Sequence, residues 1–194
     1  MGGPTACFAS FEKSVTVPLD DPARVNLDLR FALTDRFNGV VTGGDYVLGR
    51  NVTEFEKEFA KFIEVPFAVG VNSGTDALAI GLAATGIGFG DEVIVPALTA
   101  SATAAAVRMT GATPVIVDVL QEHPVIDPNE VRRAISQRTR GVVAVHLYGS
   151  TAPLAELREI ADSTGLVLAE DAAQAHGSRY GDKAVGSIGD FAAF

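Results

Sequence analysis

Residues 167–181 read VLAEDAAQAHGSRYG. An apolar run delivers the chain to two adjacent carboxylates, Glu170 and Asp171, and a turn of small residues then carries Gln174 and His176. A carboxylate at the buried tip of a strand costs desolvation free energy unless something cationic meets it. A protonated ring nitrogen would serve. Gln174, on the same turn, could then reach a polar edge or the face of that ring. Asp171 also has a plainer reading as a helix N-cap, which does not exclude the ligand role.

A second polar turn lies upstream in VNSGTDALAI, residues 71–80. An apolar run, FAVGV (67–71), ends there, Ser73, Gly74 and Thr75 turn, and a helix begins near Thr75. Free N–H groups at a helix start, with a glycine allowing close approach, suit a phosphate, and the Ser73 and Thr75 hydroxyls could add donors. Either hydroxyl could equally be a simple cap. The two turns together fit pyridoxal 5′-phosphate, which has a ring nitrogen at one end and a phosphate at the other. An Asp that keeps the nitrogen protonated lets the ring accept electrons from a carbanion.

Other motifs carry less. GIGFGD (86–91) has glycines at alternate positions but follows a helix and precedes a strand, the reverse of a dinucleotide loop. No Walker phosphate loop and no G-x-S-x-G elbow is present. PALTASATAAAV (96–107) is almost all small residues, which suits tight helix packing or a flat ligand. His123, His146 and His176 are the only histidines and lack metal-site spacing; each is expected in the core or behind a functional residue.

The elements that must position these turns follow from the pattern. After a poorly patterned arm, a helix is expected over about 21–38, with Leu27, Phe31 and Leu33 apolar, then the Gly-rich link VVTGGDYVLGR. Asn51 and Glu54 form a capping-box pair for a helix in which Phe55, Phe59 and Phe62 recur at helical spacing and predict core contact. Strands are expected at 67–71, 92–96, 113–119, 141–147 and 166–170, with helices at about 75–85, 99–110, 128–137 and 152–164. Asp127-Pro128-Asn129-Glu130 marks the start of the third of these helices. Near-continuous apolar strands alternating with helices predict an α/β fold, a mostly parallel central sheet covered on both faces. Ligands in such sheets gather beyond the carboxyl ends of the strands, where both polar turns fall.

The chain of 194 residues is 47% hydrophobic and 20% charged, with net charge −9. That excludes a disordered chain and argues against nucleic acid, which needs clustered cations. The one basic cluster, Arg132, Arg133, Arg138 and Arg140, reads as a solvated face. A single cysteine, Cys7, fits a reducing compartment. No secretory signal, lipidation pattern or membrane-length apolar run is visible, so a cytoplasmic location and no membrane partner are expected.

NSGTDAL, GDEVIVPALT, GATPVIVDV, VHLYG, AEDAAQAHGSRYG and VGSIGDFAAF occur in an order and spacing that resemble the DegT/DnrJ/StrS-type sugar aminotransferases, from about Val17 to Phe194. The resemblance implies a three-layer α/β/α large domain of a fold type I pyridoxal-phosphate enzyme. Residues 1–50 would be an arm, helix and Gly-rich loop near the site, and 51–194 the cofactor domain. It places Gly74, Thr75 and Asp76 around the phosphate, Asp171 at the pyridine nitrogen and Gln174 at the ring. It further implies amino transfer from glutamate to a nucleotide-linked keto-sugar, in a homodimer.

Two departures stand out. Ala100 occupies the position where the family has a Phe or Trp that stacks on the cofactor. The Schiff-base lysine of the family is expected just beyond Phe194, as is the small C-terminal domain, so this chain is expected to contain no catalytic residue and to be inactive alone. Lys57 and Lys61 read as a solvated helix face, Lys183 as an exposed hairpin. An alternative is an inactive or dehydratase-like relative that binds the cofactor or a nucleotide sugar without transamination.

Overall fold

The computed structural model describes residues 17, 18 and 20–194; Cys7 and Lys13 lie outside them. The described residues divide into two compact units, one ending at Gly49 and the other running from Arg50 to Phe194. The first contains α1 (Pro22–Val25) and α2 (Arg30–Gly43), neither with a buried residue. The expected single helix is thus divided: Asp21 caps the first piece through the Arg24 amide, and the second runs on to Gly44, whose left-handed conformation ends it.

The second unit begins within α3 (Gly49–Ile63), followed by α4 (Gly74–Ala84), β1 (Glu92–Pro96), α5 (Ser101–Met109) and β2 (Thr113–Val117). Then come α6 (Pro128–Ala134), β3 (Thr139–Val145), α7 (Leu154–Thr164), β4 (Val167–Asp171), the two-residue strands β5 (Arg179–Tyr180) and β6 (Lys183–Ala184), and β7 (Phe191–Ala193). Five strands form one parallel sheet in the order β2-β1-β3-β4-β7. β5 and β6 make a separate antiparallel hairpin.

Alternate side chains of each strand enter opposite faces. Val93, Val95, Val143, Val145 and Ala169 pack with Leu78 and Leu82 of α4 and Ala106 and Val107 of α5. Ile94, Val142, Ala144 and Leu168 pack with Val131 of α6 and with Leu154, Leu157 and Ile160 of α7. The three-layer α/β/α arrangement is therefore present, with four strands within three residues of their expected positions. Asp127 caps α6 through the Asn129 amide, as its sequence suggests.

Three expectations fail. Residues 67–71 form no strand: Phe67 and Val69 are exposed, and Gly70 N–H donates to the Glu56 carboxylate instead of to a ladder. A strand requires a neighbouring backbone, and no described strand pairs with this segment. Asn51 does not cap α3, which already begins at Gly49 after a left-handed Leu48–Gly49 pair, and Glu54 pairs with Arg50. Phe55 and Phe62 are more than half exposed, so the core contacts of α3 fall to Ala60 and Ile63.

β7 reaches the sheet through a close turn at Gly189. A Cβ there would lie 2.6 Å from the Leu168 carbonyl oxygen, a backbone atom that cannot rotate away. Gly189→Ala is expected to lower stability by about 1–3 kcal/mol, read as a reduced urea midpoint; an unchanged midpoint would show that the turn is slack.

Candidate active site

β4 carries Asp171 to the carboxyl edge of the sheet as its last residue, level with Val145 of β3 and Ala193 of β7. It is not a helix cap, because turns rather than a helix follow it. The side chain is 8% exposed. Its Oδ2 accepts a hydrogen bond from the Thr103 hydroxyl at 2.8 Å, and its Oδ1 only a long one from the Ala173 amide at 3.4 Å. Both partners are neutral, and among the described residues no cation pairs with this carboxylate.

The turns after β3 and β4 are strapped together. Gln174 Oε1 accepts the Tyr148 backbone N–H at 2.8 Å, so its NH₂ group is the end left to donate elsewhere. Tyr148 is held at φ +56° to present that amide, a conformation uncommon outside glycine.

At the start of α4, Ser73 accepts the Asp76 amide at 3.1 Å and donates its own proton to the Asp76 carboxylate at 2.9 Å. The Ser73 hydroxyl, a candidate phosphate donor in the sequence, is therefore spent as a cap. The amides of Gly74 and Thr75 remain without intrahelical acceptors. Gly74, Thr75, Thr99, Ala100, Asp171 and Gln174 all line one cavity of about 180 Å³. Asp76 shares the turn but faces Ser73 and does not line the cavity. Ala100 sits in extended conformation immediately before α5 and presents only a methyl group.

One lining residue of the cavity, His146, belongs to a buried pair with Glu170. His146 Nδ1 accepts the Ala152 amide at 3.0 Å, which places the ring proton on Nε2, facing Glu170 Oε2 at 3.1 Å. Glu170 also accepts the amides of Gly186, Ile188 and Gly189 at 2.7, 2.9 and 2.6 Å. Burial pushes the Glu170 carboxyl upward, but the His146 bond and these three amides outweigh it and hold it below the usual glutamate value. His146 is thus the core histidine expected. His123 and His176 are not: both are exposed, and His176 packs its ring edge on Phe194 at 5.2 Å between centroids.

Thr99, Thr103 and Glu170 carry no functional reading in the sequence. No local pattern marks the two threonines: Thr99 precedes α5 and Thr103 lies in its first turn. Lys57, Lys61 and Lys183 are exposed and line no part of the cavity. No group of three or more His, Cys, Asp or Glu among the described residues is placed to hold a metal, and no described helix is long and apolar enough to cross a membrane.

Residues 29–194 match the DegT/DnrJ/EryC1/StrS aminotransferase family. The chain belongs to that family. A Streptomyces venezuelae dTDP-3-amino-3,4,6-trideoxy-alpha-D-glucose transaminase is 48% identical over 96% of the chain and 49% of its own length. The crystal structure of S. venezuelae DesV in complex with a ketimine intermediate superposes with TM-score 0.86 at 48% identity, covering 88% of this chain and 46% of that one. NtdA of Bacillus subtilis, with bound cofactor PMP, gives TM-score 0.75 at 35% identity over 77% of this chain and 34% of its own. This DegT/DnrJ/EryC1/StrS chain spans about half the length of the curated relatives it matches.

Proposed function

We propose that the cavity is a pyridoxal 5′-phosphate site and that the chain is the cofactor-binding part of a sugar aminotransferase. Asp171 carries the reading: a buried carboxylate with only neutral donors suits a cationic ring nitrogen. Gly74 and Thr75 offer two amides and the positive end of α4 to the phosphate. With its oxygen engaged by the Tyr148 amide, Gln174 would have its NH₂ group free to donate to the cofactor's phenolic oxygen, and Ala100 would offer the ring a methyl group and no stacking partner. When bound, the cofactor supplies the carbonyl that takes up and hands on an amino group, and the ring that accepts electrons meanwhile. Asp171 holds the proton on the ring nitrogen throughout, and the α4 terminus fixes the other end of the molecule.

For the whole enzyme we propose a cytoplasmic homodimer that moves an amino group from glutamate to the ketone of a nucleotide-linked sugar. The name and 48% identity of the S. venezuelae transaminase support that substrate class. Since none of the described lysines lines the cavity, the 194-residue chain is expected to bind cofactor without turning over.

Pyridoxamine 5′-phosphate titrated into the protein should bind saturably at Asp171's cavity, followed by cofactor fluorescence, with no turnover of glutamate and a keto-sugar. Absence of binding would overturn the cofactor reading. Turnover abolished by Lys183→Ala would overturn the lysine argument.

A further inference from the structure

Thr99 and Asp171, which line the cavity, are joined through Thr103 in one chain of hydrogen bonds. Thr103 is completely buried, its Oγ1 lies 2.8 Å from the Thr99 Oγ1, and it donates to Asp171 Oδ2 at 2.8 Å. A hydroxyl has one proton to give. Since Thr103 spends its proton on the carboxylate, the Thr99–Thr103 bond has a fixed direction: Thr99 donates and Thr103 accepts. Thr99 is half-buried and lines the cavity, and with its proton directed inward it offers the cavity only lone pairs.

We propose that Thr99 and Thr103 are positioning residues: their directed hydroxyl relay occupies Asp171 Oδ2 and fixes the carboxylate so that Oδ1 meets the ring nitrogen of a bound pyridoxal-type cofactor. This inference rests on the cofactor site proposed above. The geometry requires such a device. Asp171 ends a strand and is followed by turns, so its backbone alone leaves the carboxylate free to rotate about its terminal bond. Its other contact, the Ala173 amide at 3.4 Å, is too long to hold it. The α5 scaffold is rigid there, because Ala106 and Val107, one turn on, are completely buried in the core. Ala100, between the two threonines in the chain, contributes no stacking ring, so orientation at this end falls to the carboxylate.

The test compares two probes on the full chain: pyridoxamine 5′-phosphate, and its analogue with carbon in place of the ring nitrogen. Neither has an aldehyde, so neither reacts with the exposed lysines. Thr103→Val should weaken pyridoxamine 5′-phosphate about tenfold, the size of one hydrogen bond to a charged group, and leave the carbon analogue unchanged. Thr103→Ser should restore binding. Thr99→Val, at a half-buried position that tolerates the change, should weaken the same probe about threefold and serves if Thr103→Val does not fold. Equal weakening of both probes would reduce the threonines to packing residues and overturn the inference, as would unchanged binding in both valine variants. If the unaltered chain binds neither probe, or Asp171→Asn binds pyridoxamine 5′-phosphate undiminished, the cofactor reading itself fails and takes this inference with it.

Discussion

Glu170→Ala is expected to lower the unfolding free energy by about 3–5 kcal/mol, the range for removing one member of a buried, hydrogen-bonded polar pair, measured by urea denaturation. The side chain is completely buried, and its two oxygens serve His146 and three backbone amides of the 186–189 turn. Alanine would strand four donors at once, of which the two in fully buried bonds, His146 Nε2–H and the Gly186 amide, each cost about 1–3 kcal/mol of desolvation, and the turn that delivers β7 would lose its anchor. Glu170→Gln keeps the volume but turns an NH₂ group toward donors, so it should recover only part of the loss. A pH dependence follows from the same contacts. The folded-state carboxyl is held below its ordinary value of 4.5, so its contribution is complete above the unfolded value. It is lost as pH falls through the lowered folded value. Stability of the unaltered protein should therefore drop steeply below about pH 4.5, and the Glu170→Gln protein should show a shallower acid limb. A Glu170→Ala protein with an unchanged midpoint would mean that water replaces the carboxylate.

Of the strands that build the site, β1, β3 and β4 were legible because they are buried on both faces and read as short apolar runs between helices, whereas the three-residue, half-buried β7 was not expected. EVIVP needs no knowledge of its neighbours to be recognised, and all five of its residues are buried. The same composition misleads at FAVGV. Its residues are as apolar, but strand formation depends on a backbone alongside, and composition says nothing of that. The aromatic spacing of Phe55, Phe59 and Phe62 similarly identifies a helix without telling which face meets the core; Phe59 packs on Phe194, 5.0 Å between ring centroids, while its neighbours stay exposed.

At the site, the residues read from the sequence are those that end strands or begin helices, Asp171 and Gly74–Thr75, since chain topology alone brings such ends together. The residues missed act through partners far away in sequence. Thr103 meets Asp171 across 68 positions and Glu170 meets Gly189 across 19, and nothing local distinguishes that threonine from a packing residue in a stretch of small ones. Asp76 shows the converse. Its position on the α4 turn was legible, but its carboxylate completes the Ser73 cap, and an anion could not usefully face a phosphate.

Asp171→Asn is expected to weaken pyridoxamine 5′-phosphate binding on the order of a hundredfold while leaving the protein as stable as before, or more so. The two halves of this expectation have one cause. A carboxylate 8% exposed and met only by Thr103 and a distant amide is an unfavourable group to bury until a cation arrives. An amide of the same shape removes that cost and can still accept the Thr103 proton. Once the ring nitrogen is present the balance reverses, because removing one partner of a close, desolvated charge pair costs about 2–5 kcal/mol of binding. A thermal melt of the unliganded protein, beside a fluorescence titration, measures both halves. A large loss of stability together with the loss of binding would identify Asp171 as a structural residue, and undiminished binding would remove it from the cofactor contact. A stable protein that no longer binds would show that this fold accepts an unfavourably buried carboxylate at the strand tip for the sake of its ligand.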